Sequence, residues 1–167
     1  MTLIPDGLAA RVGETKVYAA PEPLSRASIR YYADAVGDDN PVYRDPDVAR
    51  ARGWDDVIAP PTLLCDTNQY RAGARDEDGF AGHTWNIEIP GTRLVRGGND
   101  YTFHRPARPD DVVTVTWRLA DISERTRADG SAMVIVTSEQ EVRDEHGDPI
   151  LTNTETVIYV QRADGAA

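Results

Sequence analysis

The sequence predicts an α+β domain, and three observations predict it. Helical periodicity is confined to the part of the chain that ends near Tyr70, two-residue alternation takes over from about residue 83, and no linker divides the two regions. A chain of 167 residues with 40% hydrophobic residues has the size and apolar content of one core. The expectation is a single domain over residues 1–167, with its core at about residues 14–161. Residues 1–13 and the polar tail after Val160 are expected to fray.

The first helix is marked by Ser25 as its cap, by Ile29, Tyr32, Ala33 and Val36 at three-to-four spacing, and by Gly37 as its stop. A second, shorter helix has Asp45 at the cap, Pro46 at the first helical position and Gly53 at the end. After the extended run Val57-Ile58-Ala59, Pro60 and Pro61 are placed to open a third helix holding Leu63, Leu64, Thr67 and Tyr70, apolar enough to be buried. Strands are expected at Trp85 to Ile89, Leu94 to Phe103, Val112 to Ile122, Ala132 to Val142 and Ile150 to Gln161. The segment Asp144 to Pro149 reads as a hairpin connection, and Gly97-Gly98 inside a strand reads as a bulge or a close backbone approach. A sheet of long antiparallel strands needs one face covered, and the apolar third helix is the natural cover. That arrangement, a curled antiparallel sheet wrapped around a central helix, is the hot-dog fold.

Composition narrows the function. A net charge of -10 with no basic stripe argues against nucleic acid as a partner. No stretch approaches the roughly 20 uninterrupted apolar residues of a membrane helix, and the start lacks a signal peptide, so a soluble cytoplasmic protein without a membrane partner is expected. The single cysteine, Cys65, reads as a buried thiol, and the many aspartates lack a His or Cys at ligand spacing, so neither a metal nor a cofactor is expected. Lys16 is the sole lysine, which leaves almost no candidate for Schiff-base chemistry and biases any anion site toward arginine.

The chemistry is carried by Gly37-Asp38-Asp39-Asn40-Pro41-Val42-Tyr43. A helix stopped at Gly37 throws Asp38 and Asn40 into a loop that Pro41 stiffens, which fixes two polar side chains beside a cavity or simply turns the chain. The run resembles the G-D-x-N-P-x-H signature of the MaoC-like (R)-specific enoyl-CoA hydratases. Gly37, Asp38, Asn40 and Pro41 match it, and Tyr43 stands where the family has histidine. The resemblance extends over roughly residues 14 to 161, including the Gly53-Trp54 turn and Arg105 to Asp111.

What the resemblance implies is hydration of a trans-2-enoyl thioester or dehydration of a (3R)-hydroxyacyl thioester. By position, Asp38 becomes the acid/base candidate, Asn40 orients the loop, and Tyr43 completes the catalytic set. The turn Pro60-Pro61-Thr62 falls where the family polarises the thioester carbonyl, although proline has no N–H to offer. Arg96, among the arginines that flank a site for CoA phosphates (Arg93, Arg105 and Arg108 are the others), and His104, placed in a strand on the face opposite Phe103, are the remaining substrate-binding candidates. A phenol with a reference pKa of about 10 is a poor base near neutral pH, whereas histidine titrates near about 6.5. The altered dyad and the Ala-Pro-Pro-Thr turn look like the non-catalytic partner subunits of this superfamily, including FAS-type dehydratase domains and an acyl-chain-binding subunit of mycobacterial hydroxyacyl-ACP dehydratases. The expected ligand is an acyl-CoA or acyl-ACP thioester. The expected assembly is a heterodimer with a MaoC-like chain bearing the intact dyad, or a homodimer. Two rivals stay open: a module that binds an acyl chain without chemistry, and a hot-dog thioesterase in which Asp38 directs water at the carbonyl.

Overall fold

The computed structural model describes residues 2–65, 70, 75, 77, 79 and 81–162. Five antiparallel strands form one curled sheet: β1 (Thr15–Ala19), β2 (Thr92–Phe103), β3 (Thr114–Thr126), β4 (Ala132–Arg143) and β5 (Pro149–Gln161). Their order is β1-β3-β4-β5-β2, so β1 and β2 are the edges. The inner face presents Val115, Trp117 and Leu119 from β3, Val134, Val136 and Val142 from β4, and Leu151 from β5. These side chains join Ile29 and Ala33 of α1 (Arg26–Ala35) and Leu63 and Leu64 of the cover in one core. The fold is a hot-dog.

Local signals set the helices. Ser25 Oγ accepts from the Ser28 N–H and the Ser28 side chain reaches back to the Ser25 backbone, a reciprocal cap that opens α1. Asp45 Oδ1 accepts from the N–H groups of Asp47 and Val48 at the start of α2 (Pro46–Ala51), with Pro46 where a missing donor costs nothing.

Gly97 is an extra residue in β2: Arg96 pairs with Val157 and Gly98 with Thr156, with no rung between them. A Cβ at Gly97 would lie 2.8 Å from Thr156 Cγ2 and 2.9 Å from the Thr156 carbonyl oxygen. Both halves of the glycine expectation therefore hold, as bulge and as close approach. Gly97→Ala should lower stability by about 1–3 kcal/mol through overpacking. A fall in the urea midpoint at unchanged slope checks it.

Several expectations need correction. Trp85 to Ile89 is no strand; it is a strap laid across the inner face of the sheet without ladder pairing. Side chains hold it: Arg11 Nη2 donates to the Trp85 carbonyl at 2.8 Å, Lys16 Nζ to the Thr84 carbonyl at 2.6 Å, and Tyr159 Oη to the Ile87 carbonyl at 2.9 Å. The strand that exists at Thr15–Ala19 was not expected. Nor do residues 2–13 fray, because Leu8 is buried, Leu3 N donates to Glu124 at 3.0 Å and Gly13 N to the Leu119 carbonyl at 2.8 Å. The tail after Arg162 lies outside the described residues. Where the third helix was expected, the described residues form a 3-10 turn over Pro61–Leu64; Thr67 lies outside the described residues, and Tyr70 is buried as expected. Cys65 is half-buried.

Arg105 is occupied by structure. Its guanidinium donates to Asp111 at 2.8 and 3.0 Å and to Asp144 at 2.7 Å, tying the segment after β2 to the turn between β4 and β5. It is therefore not an arm reaching for phosphate, as the sequence allowed.

Candidate functional site

The α1 terminus builds the loop. Gly37 sits at φ +71°, where only a residue without Cβ is comfortable, and its N–H bonds the Asp34 carbonyl while Asp38 N–H bonds the Ala33 carbonyl. The chain then folds on its own side chains. Asp38 Oδ1 accepts from the Asn40 N–H at 3.0 Å, and Asn40 Oδ1 accepts from the Val42 N–H at 3.3 Å, opening the 3-10 turn Pro41–Tyr43. Two arginines that the sequence reading passed over pin this loop. Arg44 donates to the Asp38 carbonyl at 2.7 Å and to Asp34 at 2.6 Å, and Arg52 donates to Asn40 Oδ1 at 3.1 Å. The sequence held a signal for Arg44, since a cation directly following a loop with two aspartates, Asp38 and Asp39, has partners at hand.

Asp38, Asn40 and Tyr43 are thus brought together. Tyr43 is buried, Asp38 and Asn40 half-buried, while Asp39 between them stands in solvent. Burial pushes the Tyr43 hydroxyl above its usual range, the Asp38 charge pushes it further, and a hydrogen bond with the Asn40 side chain opposes both. Tyr43 is therefore protonated at neutral pH.

The Ala-Pro-Pro-Thr turn is adjacent. The Ile58 N–H bonds the Val42 carbonyl at 3.3 Å, and Tyr32 Oη donates to Thr62 Oγ1 at 2.9 Å, so the motif loop and the turn share one border. Pro60 is buried, whereas Pro61 and Thr62 are exposed.

Beside that turn lies a largely apolar groove of about 340 Å³ between Trp54, Pro61 and Leu64 on one side and Phe103, His104 and Leu151 on the other. His104 follows the end of β2, so the alternation that set it opposite Phe103 no longer applies, and both line the groove. Its Nε2 lies 3.4 Å from Thr152 Oγ1. Trp54 and Phe103, which the sequence did not single out as site residues, are exposed at its walls. Arg96 is elsewhere on β2, just before the bulge, in a crevice with His83 and Glu155.

A hot-dog sheet with this loop beside the covering turn fits the dehydratase class. The chain belongs to the family described as FAS1-like, dehydratase domain region, whose model matches residues 11–153. A UPF0336 protein of Streptomyces avermitilis is 36% identical over 141 residues, which cover 84% of this chain and 87% of that one. Among solved structures, the ChsH1-ChsH2 complex from Mycobacterium tuberculosis has a chain that superimposes with a TM-score of 0.71 at 18% identity, with 92% of each chain covered. The MaoC-like dehydratase from Rhodospirillum rubrum superimposes with a TM-score of 0.64, also at 18% identity, with 91% of this chain and 94% of that one covered. Among the described residues, no helix is long and apolar enough to cross a membrane.

Proposed function

We propose that this chain is a subunit of an acyl-thioester hydro-lyase, adding water to a trans-2-enoyl thioester or removing it from a (3R)-hydroxyacyl thioester together with a second MaoC-like chain. The observation that carries the reading is the state of the motif: Asp38 and Asn40 are retained and positioned, but beside a protonated phenol where a base belongs. Such a half site can bind and orient a thioester, with Asp38 as acid/base and Tyr43 and Asn40 as hydrogen-bonding groups. The partner supplies the imidazole that deprotonates water.

The thioester, on CoA or on an acyl-carrier protein, lies along the groove. Pro61 and His104 form its walls, and Pro60 and Thr62 shape the turn that faces the carbonyl. Arg96 contacts the ligand beyond the bulge. The edge strand β2 supports pairing with another hot-dog chain: it offers an open row of backbone donors and acceptors, and Leu94 and Phe103 on it are 62% and 44% exposed. The complex of two chains among the structural neighbours supports the same view.

One observation favours the binding module as a second reading: the polar atoms of Asp38 and Asn40 already serve the turn itself. A short enoyl-CoA, supplied to the chain alone and to the chain with the MaoC-like subunit that co-purifies with it, separates the readings. Loss of the conjugated-thioester absorbance without thiol release, in the pair only, is the expected result. Thiol release means a thioesterase, and silence in both preparations leaves the binding module.

A further inference from the structure

The inner face of a hot-dog sheet is its core face, yet two adjacent rungs here are polar. Trp117, Gln140, Asn153 and Tyr101 form one rung across β3, β4, β5 and β2, and Leu119, Ser138, Glu155 and Asn99 form the next. Gln140, Asn153 and Ser138 are buried. They are wired together: Asn153 Nδ2 donates to Asn99 Oδ1 at 3.0 Å and to Gln140 Oε1 at 3.4 Å, Gln140 Nε2 and Trp117 Nε1 both donate to Tyr70 Oη, and Trp85 Nε1 donates to Ser138 Oγ at 2.9 Å. The network ends at the exposed Asn99 on the open edge strand. It is incomplete, since buried Asn153 Oδ1 has no hydrogen-bond partner; buried His83 Nε2 has none either, and such orphans are desolvated without compensation.

Two crevices of about 170 and 450 Å³ lie against these rungs and adjoin at His83, Arg96 and Glu155. Their walls are flat rings: His83 stacks on Trp117 at 4.4 Å and meets Trp85 edge-on at 4.6 Å. Burial, with Lys16 nearby, holds His83 down at about 4, so the ring wall is uncharged at neutral pH, while Arg96 and Glu155 line the same two crevices.

The smaller crevice neighbours the groove along β2. Leu64 lines the groove and Cys65 the crevice, and Phe103 lines the groove while Tyr101, whose ring stacks on it at 5.9 Å, lines the crevice. A chain that runs along β2 past Phe103 meets Tyr101 and then Asn99.

We infer that the polar crevice between the 83–88 strap and the β2–β5 edge is a specificity subsite for acyl groups that carry an uncharged oxygen, hydroxyl or keto, remote from the thioester. The inference rests on the reading that the groove takes a thioester. Asn99 is the contact at the mouth of the crevice, and Arg96 and Ser138 flank the oxygen. A wholly hydrocarbon tail would desolvate the Asn99 and Arg96 N–H donors and the Ser138 hydroxyl without offering them an acceptor, which is the penalty that separates the two ligand classes.

The three tryptophans make the test direct, because Trp54 reports on the groove while Trp85 and Trp117 report on the crevice. The purified full chain is titrated with octanoyl-, decanoyl- and dodecanoyl-CoA and with their ω-hydroxy counterparts, and the indole N–H resonances are followed by NMR. At the chain length that places the hydroxyl at Asn99, the hydroxy thioester should bind about fivefold tighter than its plain counterpart, the value of one hydrogen bond. It should shift Trp85 and Trp117 as well as Trp54. Asn99→Leu, at an exposed position, should erase that advantage while plain-chain binding persists, and Arg96→Met should reduce it. Equal affinities within every pair, shifts confined to Trp54, or an advantage that survives in Asn99→Leu would each overturn the subsite and leave the groove reading intact. Failure of every thioester to bind would overturn both.

Discussion

Arg105→Ala should destabilise the protein by about 3–5 kcal/mol, because it strands two buried carboxylates. The side chains of Asp111 and Asp144 are 7% and 5% exposed, and their guanidinium partner is 20% exposed. Surface ion pairs of this chain, such as Arg50 with Asp47, are solvated on both sides and their loss should cost about 0–1 kcal/mol. Urea unfolding of Arg105→Ala beside Arg50→Ala checks the contrast. Acid should act through the same clamp. Burial works to raise the Asp144 pKa, but Arg105 and the backbone N–H groups of Asp148 and His146 outweigh it and hold the carboxyl below its ordinary range. A carboxyl depressed by folding stabilises the native state above its unfolded pKa of about 3.9, and that contribution disappears as pH falls through the lower folded value. The acid limb attributable to Asp144 therefore lies below about pH 4, and it should shrink in Arg105→Ala, where only the backbone N–H groups still hold the carboxyl down. Unfolding midpoints measured at successive pH values read it out.

Tyr43→His should give the isolated chain hydration activity on a short enoyl-CoA, about a hundredfold or more above the parent, the usual worth of a positioned general base. The imidazole would stand beside Asp38 and Asn40, which the pinned loop already holds. The pH profile makes the result diagnostic. An imidazole acts as base only when neutral, so the rate should rise with pH through about 6.5 and then level off. The parent should show no such limb, since burial and the Asp38 charge keep its phenol protonated throughout. A folded Tyr43→His chain that remains inert at every pH would show that Asp38 is a turn residue and nothing more.

What could be read from the sequence was what the chain decides locally. Ser25, Asp45 and Pro46 open their helices because a cap needs only its own next turn, and Gly37 closes α1 for the same reason. Gly97 announced the bulge because glycine weakens a strand, so a pair of them inside one marks a place where the backbone must bend or another chain segment comes close. The strap misled because an extended segment crossing a core also alternates, with Trp85 and Ile89 buried and Asn86 and Glu88 exposed, whether or not another strand pairs with it. β1 was missed for the opposite reason: five residues with little burial become a strand only through their pairing with β3. At the site, the turn around Asp38 was legible, but the grip of Arg44 and Arg52, the shared wall of Phe103 and His104, and the clamp from Arg105 to Asp144 are products of tertiary closure.

The placement of Lys16 has a practical side. As the sole lysine of this sequence it is its one side-chain primary amine, and its ammonium donates to the Thr84 carbonyl and lies 5.6 Å from the Trp85 ring centre. Coupling a sensor chip or a fluorophore to this side chain would therefore unfasten the segment that roofs the sheet. Immobilisation through an engineered surface thiol or an affinity tag keeps that roof closed.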